Sequence, residues 1–194
     1  MLIKLINYIP VIVLLLILNN QTVMSQEPGH TGLIYGKNHS YKLSAPTGWI
    51  LDNKSGVSQG LQAVFYKEGF NWDNAVSVMY TNVVHLDSAE NRNLDDIINK
   101  DLERFKNYPE FLSAEFKDNI ALNENKEARL IEFLSNDQNT SNESVAYIPE
   151  DKTIIIIVLS SRDKEDFNLN QIAFVDLVKS YQFISENVII DDKK

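Results

Sequence analysis

The sequence predicts an α+β fold: a single domain in which an antiparallel β-sheet is flanked by α-helices. Three observations carry this. Alternating or β-branched segments follow one another across short polar turns, which suits antiparallel neighbours. Two segments switch to the 3.6-residue period of a helix. The run Ile154 to Leu159, four isoleucines and then Val158-Leu159, is apolar on both faces and belongs in the middle of a covered sheet.

Taken in order, Gly32 to Gly36 and Ser40 to Ala45 read as two strands around a Lys37-Asn38-His39 turn. In the second, Tyr41, Leu43 and Ala45 alternate with Ser40, Lys42 and Ser44, the period of a half-buried strand. Pro46-Thr47-Gly48 breaks it, and Trp49 to Asp52 resumes, with Trp49 expected in the core. Asn53 to Gly60 is a loop by its Gly, Ser and Asn content. Leu61 to Tyr66 and Ala75 to Val84 are strands, joined by the turn-rich loop Lys67 to Asn74.

From Asn93 the period changes. Leu94, Ile97, Ile98, Leu102 and Phe105 share one helix face, with Asn93 as N-cap and Asp95 and Asp96 in the positive first turn. Asn107-Tyr108-Pro109 ends the helix. Strands follow at Phe111 to Phe116, Glu127 to Leu134, Ser144 to Ile148 and Thr153 to Ser160, with a polar hairpin loop from Ser135 to Glu143. A closing helix is expected from about Asn168 to Ser180, with Ile172, Phe174, Val175, Leu177, Val178 and Tyr181 apolar.

The ends have another character. Lys4, the unbroken apolar run Ile9 to Leu18 and a cut ahead of Gln26 make residues 1–25 a secretory signal peptide. Ten apolar residues are about half of the roughly 20 that a spanning helix needs, so a retained anchor is the second reading. No stable membrane span is expected after cleavage. Residues 26–31 form a flexible lead-in, 32–184 the globular domain and 185–194 a frayed tail.

The remaining 169 residues suffice for one core without staples. With no cysteine, disulfides, thiolate nucleophiles and Cys-ligated metals are excluded. Beyond the leader, 17 Lys and Arg face 27 Asp and Glu, a net of −10. That surface repels phosphate backbones, so no nucleic-acid partner is expected.

The segment Tyr41-Lys42-Leu43-Ser44-Ala45-Pro46-Thr47-Gly48-Trp49 resembles the opening of PsbP-like domains: an aromatic strand, a Pro-x-Gly-Trp corner and a second strand. Ile154 to Ser161, the helix containing Phe174, Leu177 and Val178, then Ser180-Tyr181-Gln182-Phe183 are similar to that family's final strand, long helix and short closing strand. The resemblance spans roughly Gly32 to Ile184. It implies an α/β/α sandwich that serves as a binding or accessory domain in photosystem subunits, a nuclear Ran-binding protein and exported bacterial proteins. A secretory leader stands where the photosystem subunits carry a transit peptide, so the resemblance transfers the architecture and no functional residues.

Chemistry is thinly signalled. His30 in the lead-in, His39 in a hairpin turn and His85 at a strand end lack the spacing that places two imidazoles on one metal. His85 beside Asp87, the best candidate, reads most simply as solvent-exposed. No nucleophile elbow or phosphate-cradling glycine loop occurs, and no cofactor or metal is expected. Asp163 to Asp166 reads as a solvated turn capping the last helix, with weak divalent-cation binding as the alternative. The loop after Phe65 is the most suggestive feature. Phe70 and Trp72 stand among polar residues, so Tyr66, Phe70, Trp72 and Asp73 are the candidate contact residues. The plain alternative is that these aromatics fold back over a core rim.

The functional expectation is an exported, non-catalytic binding or accessory domain, periplasmic or secreted from a bacterium, that contacts a protein or envelope component. The competing expectation is a secreted hydrolase using Asp73 or Asp87 with His85.

Overall fold

The isoleucine run lies where its pattern places it. The computed structural model describes residues 30–86, 93–123, 125–136 and 140–188. In it, every residue from Ile154 to Leu159 is buried within one central strand. The leader, Asp87 and the last six residues lie outside the described residues.

In chain order the elements are β1 (Thr31–Gly36), β2 (His39–Ser44), β3 (Trp49–Asp52), β4 (Ala63–Lys67), β5 (Ser77–His85), α1 (Leu94–Lys106), β6 (Phe111–Phe116), β7 (Ile120–Asn123), β8 (Lys126–Ser135), β9 (Asn142–Pro149), β10 (Thr153–Ser161), α2 (Lys164–Leu169), α3 (Gln171–Lys179) and β11 (Gln182–Ser185). The larger sheet runs β3-β4-β5-β10-β9-β8-β6, with β7 also paired to β8. A separate sheet runs β1-β2-β11. Every pairing is antiparallel, so this is an α+β domain with β10 at the centre of the larger sheet.

Local chemistry explains the corners. Asn38 takes a left-handed backbone (φ 59°) in the β1–β2 turn, a conformation that Asn tolerates. The turn from Pro46 to Trp49 closes through Trp49 N–H donating to the Pro46 carbonyl at 3.0 Å. Its Gly48 has φ +77°, which an L side chain rarely adopts. Asn93 caps α1 by accepting from Asp96 N–H at 3.0 Å. Arg104 and Lys106 sit in the negative last turn of that helix.

Three expectations need correction. The single sheet is two, because β1, β2 and β11 form their own layer over one face of the larger sheet. The closing helix starts earlier and is interrupted. Asp163 caps α2 by accepting from Asp166 N–H at 2.7 Å, and buried Asn170 ends it by donating its side-chain amide to the Asp166 carbonyl at 2.6 Å. A side chain that bonds the backbone in this way competes with helix continuation. Finally, β7 is an additional strand, four residues long and paired with β8.

The larger sheet buries both faces. One packs Phe65, Met79, Ile155 and Ile157 against Tyr41 and Leu43 of the small sheet and Phe174, Leu177 and Val178 of α3. The other packs Val145, Tyr147, Ile154 and Ile156 against Ile97 and Ile98 of α1. The small sheet and α3 cover the first face broadly. The second has one helix of 13 residues, about 20 Å long, on a sheet whose strands lie roughly 4.8 Å apart. A single helix of that length leaves part of the face open beside it.

Thr153 is fully buried, and its hydroxyl has no hydrogen-bond partner among the described residues. Thr153→Val keeps the shape and removes the orphaned hydroxyl. Thermal unfolding should show stability higher by about 1 kcal/mol, a Tm rise of roughly 2–4 °C.

Candidate functional site

The open part of the α1 face is built from three rows of side chains set by strand register. Val78, Ser160 and Glu143 stand opposite one another across β5, β10 and β9; so do Tyr80, Val158 and Val145, and then Asn82, Ile156 and Tyr147. Ile97 and Ile98 anchor α1 over the Val145 and Tyr147 end. The later turns of the helix carry Asp101, Arg104 and Phe105 along the open side, and Tyr108 follows. The result is two adjoining clefts, of about 450 Å³ and about 320 Å³, that share Tyr80, Arg104 and Glu143 as a common wall.

Polar groups in this groove are organised. The Tyr147 hydroxyl donates to Asp101 Oδ2 at 2.8 Å, and Arg104 Nη2 pairs with Asp101 Oδ1 at 3.2 Å. The Arg104 guanidinium lies over the Phe105 ring at 4.8 Å, and Phe105 stacks on Phe133 at 3.9 Å. Burial pushes the Glu143 carboxyl up to about 7, against the opposing pull of Arg104 and of a hydrogen bond with Ser160. Burial also raises the phenols of Tyr80 and Tyr147, reinforced by the Glu143 and Asp101 charges respectively, so both remain hydrogen-bond donors at neutral pH. Asp101 is satisfied by two partners, whereas Glu143 is poised between its two protonation states.

The sequence-predicted contact residues divide between two places. Trp72 is half-buried and meets Tyr80 edge-on, with ring centroids 6.3 Å apart. With exposed Asp73 it lines a hollow of about 290 Å³ that continues to Ser141 and Ser160 beside the groove. Phe70, 48% exposed, turns the other way, into a hollow of about 300 Å³ with Lys67, Ser77 and Asp166 on the α2 side. Tyr66 is half-buried and donates its hydroxyl to Asp52 Oδ2 at 3.0 Å. Trp72 and Asp73 therefore adjoin the groove, while Tyr66 and Phe70 do not line it. Trp72→Ala should cost about 1–2 kcal/mol by uncovering Tyr80, whereas Phe70→Ala should stay within about 0.5 kcal/mol, both read by thermal unfolding.

Of the two acid–base pairings in the hydrolase reading, only Asp73 with His85 lies among the described residues, and these two are not brought together. Asp73 lies in the loop before β5 and His85 is its last residue; the nine-residue strand between them alone spans about 26 Å. Asp87 lies outside the described residues. His39, read from the sequence as part of a hairpin turn, is 3% exposed: Nδ1 lies 2.9 Å from the Lys37 carbonyl and Nε2 3.0 Å from Gln62 Oε1. His85 is half-buried with its ring centroid 5.9 Å from that of His39. The histidine in the turn is drawn inward because β2 begins with it and runs straight into the core. Asp163 and Asp166 border the same hollow beside α2, and each carboxylate has protein partners. Asp163 caps α2, while Asp166 bonds Lys67 Nζ at 3.0 Å and the Ser77 hydroxyl at 2.5 Å. Burial alone would raise the Asp166 carboxyl, but those hydrogen bonds overcome it and hold the group below its usual range.

No family model and no curated protein matches the chain. By shape it is similar to the solution structure of cyanobacterial PsbP from Synechocystis, with a TM-score of 0.52 and 15% identity over 79% of this chain and 92% of that one. The fold is PsbP-like. This PsbP-like chain also matches LpqN of Mycobacterium tuberculosis, described as involved in cell envelope biogenesis, at a TM-score of 0.47 and 12% identity over 79% and 90% of the two chains. A variant of the protein Mog1 matches at a TM-score of 0.46 and 13% identity, over 80% and 97%. Such distant likeness concerns shape, and function has to be argued from side chains. Among the described residues, no helix of the PsbP-like domain is long and apolar enough to cross a membrane.

Sequence reading missed Tyr80, Arg104 and Glu143. The available signal was strand parity: Glu143 shares its face with Val145 and Tyr147, both buried. Starting that strand at Ser144 left Glu143 in the loop and hid it.

Proposed function

We propose that this PsbP-like domain is an exported, non-catalytic binding or accessory module that contacts a protein or envelope component through the groove beside α1. The observation that carries the reading is the common wall of Tyr80, Arg104 and Glu143 between two adjoining clefts. It combines aromatic surface with charge-bearing groups, the composition of a recognition patch. Trp72 and Asp73 extend that patch at one end, while Phe70 borders a separate hollow beside α2. The Asp101 carboxylate is tied to Arg104 and Tyr147, an arrangement suited to reversible pairing.

The leader sequence supports export, to the periplasm or beyond the cell. N-terminal sequencing of the protein recovered from its host should begin at Gln26, and an intact leader would contradict export. A broad hydrolase screen with Glu143→Gln as control should give no turnover that the substitution removes. Turnover lost in the variant would assign the groove to catalysis.

A further inference from the structure

Of the residues lining the larger cleft, Glu110 and Glu143 are acidic and Arg104 is basic. Arg104 is already held, paired with Asp101 and lying over Phe105. The cleft thus holds two acidic groups against one cation, and that cation divides its charge between Asp101 and Glu143. The chain as a whole is acidic, with a net charge of −9, which favours encounter with basic partners.

The aromatic surfaces narrow the ligand further. Phe105 and Phe133 stack on each other, and Arg104 covers Phe105. Those rings have little flat surface left for stacking a sugar. Tyr108 meets Phe105 edge-on at 6.0 Å and is 52% exposed, and Tyr80 meets Trp72 edge-on. Rings disposed around a carboxylate in this way suit a cation, attracted both by the charge and by the electron-rich ring faces.

We infer that the larger cleft receives the lysine or arginine head of a basic segment of a protein partner, with Glu143 as its counter-ion and Tyr80 and Tyr108 as flanking rings. The inference rests on the groove being the binding surface and adds the chemistry of what enters it. A volume of about 450 Å³ holds one long side chain with part of the backbone that bears it. The groups around Glu143 make the pairing selective. Arg104 and Asp101 balance each other on α1, Tyr147 is committed to Asp101, and Ser160 supports the ionised carboxylate from β10. Tyr80 faces the cleft from β5, and Glu110 adds a second negative charge. A docked ammonium stabilises ionised Glu143, so binding near neutral pH releases protons.

The test uses the full chain, labelled with ¹⁵N, and two capped pentapeptides, Gly-Ser-Lys-Ser-Gly and its norleucine counterpart, followed by NMR and calorimetry. The lysine peptide should shift the Tyr80, Tyr108 and Glu143 resonances and bind at least tenfold more tightly than the norleucine peptide. Its affinity should rise about tenfold from pH 5.5 to pH 8 as Glu143 ionises. Calorimetry at pH 7 in buffers of different ionisation heat should register proton release. Glu143→Gln, which retains shape and hydrogen-bonding capacity, should remove the lysine preference and the pH dependence together. Equal binding of the two peptides in the groove, or an unchanged lysine preference in Glu143→Gln, overturns the cation inference and leaves the groove as a binding surface. Butylammonium binding as tightly as the lysine peptide would assign the cleft to a small amine and overturn the protein-segment assignment. If neither peptide shifts the groove resonances, the cation inference fails. If the lysine peptide instead shifts resonances elsewhere on the domain, the reading of the groove as the contact surface fails with it.

Discussion

Phe174→Ala is expected to cost about 3–5 kcal/mol, lowering Tm by roughly 6–20 °C. Phe174 is 0% exposed and belongs to the core between α3, the small sheet and the larger sheet. Truncating it removes the apolar contact of a whole ring and leaves a cavity that close-packed neighbours fill only in part. Phe65, Tyr41 and Leu177, equally buried in the same cluster, are held by strands or a helix and have little freedom to collapse inward. Ile172, two residues earlier on the same helix, is 78% exposed, so Ile172→Ala should change stability by less than about 0.5 kcal/mol. Comparable losses in the two variants would mean that α3 presents a different face to the core.

Glu143→Gln is expected to leave stability nearly unchanged at pH 4.5 and to raise it by roughly 2–3 kcal/mol at pH 8. The sign follows from the carboxyl being about 7 in the folded protein, against an ordinary value of 4.5. A raised acid is protonated in the fold while the unfolded chain has already released its proton. Between these two values the native state binds more protons, and stability falls as pH rises. Above pH 7 the folded protein carries an ionised, poorly solvated carboxylate and the full penalty. Gln keeps a neutral side chain of the same size at every pH, so the difference between the two proteins grows across that window and then levels off. Urea unfolding at pH 4.5, 6, 7 and 8 reads the difference directly. A constant difference across the series would mean that Glu143 is solvated as in the unfolded chain.

The fold was legible where one physical rule decided it. The Ile154–Leu159 run could be accommodated only at the sheet centre, and Asn93 with two acidic residues behind it set the start of α1. Legibility failed where a choice depended on tertiary partners. Ile120–Asn123 is too short to show a period, and it is a strand because β8 lies beside it. The alternation of Tyr41, Leu43 and Ala45 gives a buried face but not the sheet to which it belongs. Asn170 reads as an ordinary helical polar residue until its side chain is seen bonding the backbone.

The site was harder still. Trp72 was singled out for being aromatic in a polar loop, and its contact with Tyr80 places it beside the groove. Arg104 and Glu143, 39 positions apart in the sequence, come together only through the crossing of α1 over β9 and β10. Charged residues at those positions look like ordinary solvated surface until the helix is docked.

The account stands or falls on whether the α1 groove is the contact surface. A photo-crosslinking amino acid placed at Tyr108, in the groove, and separately at Leu33, on the exposed face of the small sheet, measures this in the living host. Tyr108 is expected to yield one discrete crosslinked protein, lost when Glu143→Lys is added, while Leu33 yields none. Crosslinks formed from Leu33 alone, or from Tyr108 with no dependence on Glu143, would contradict it.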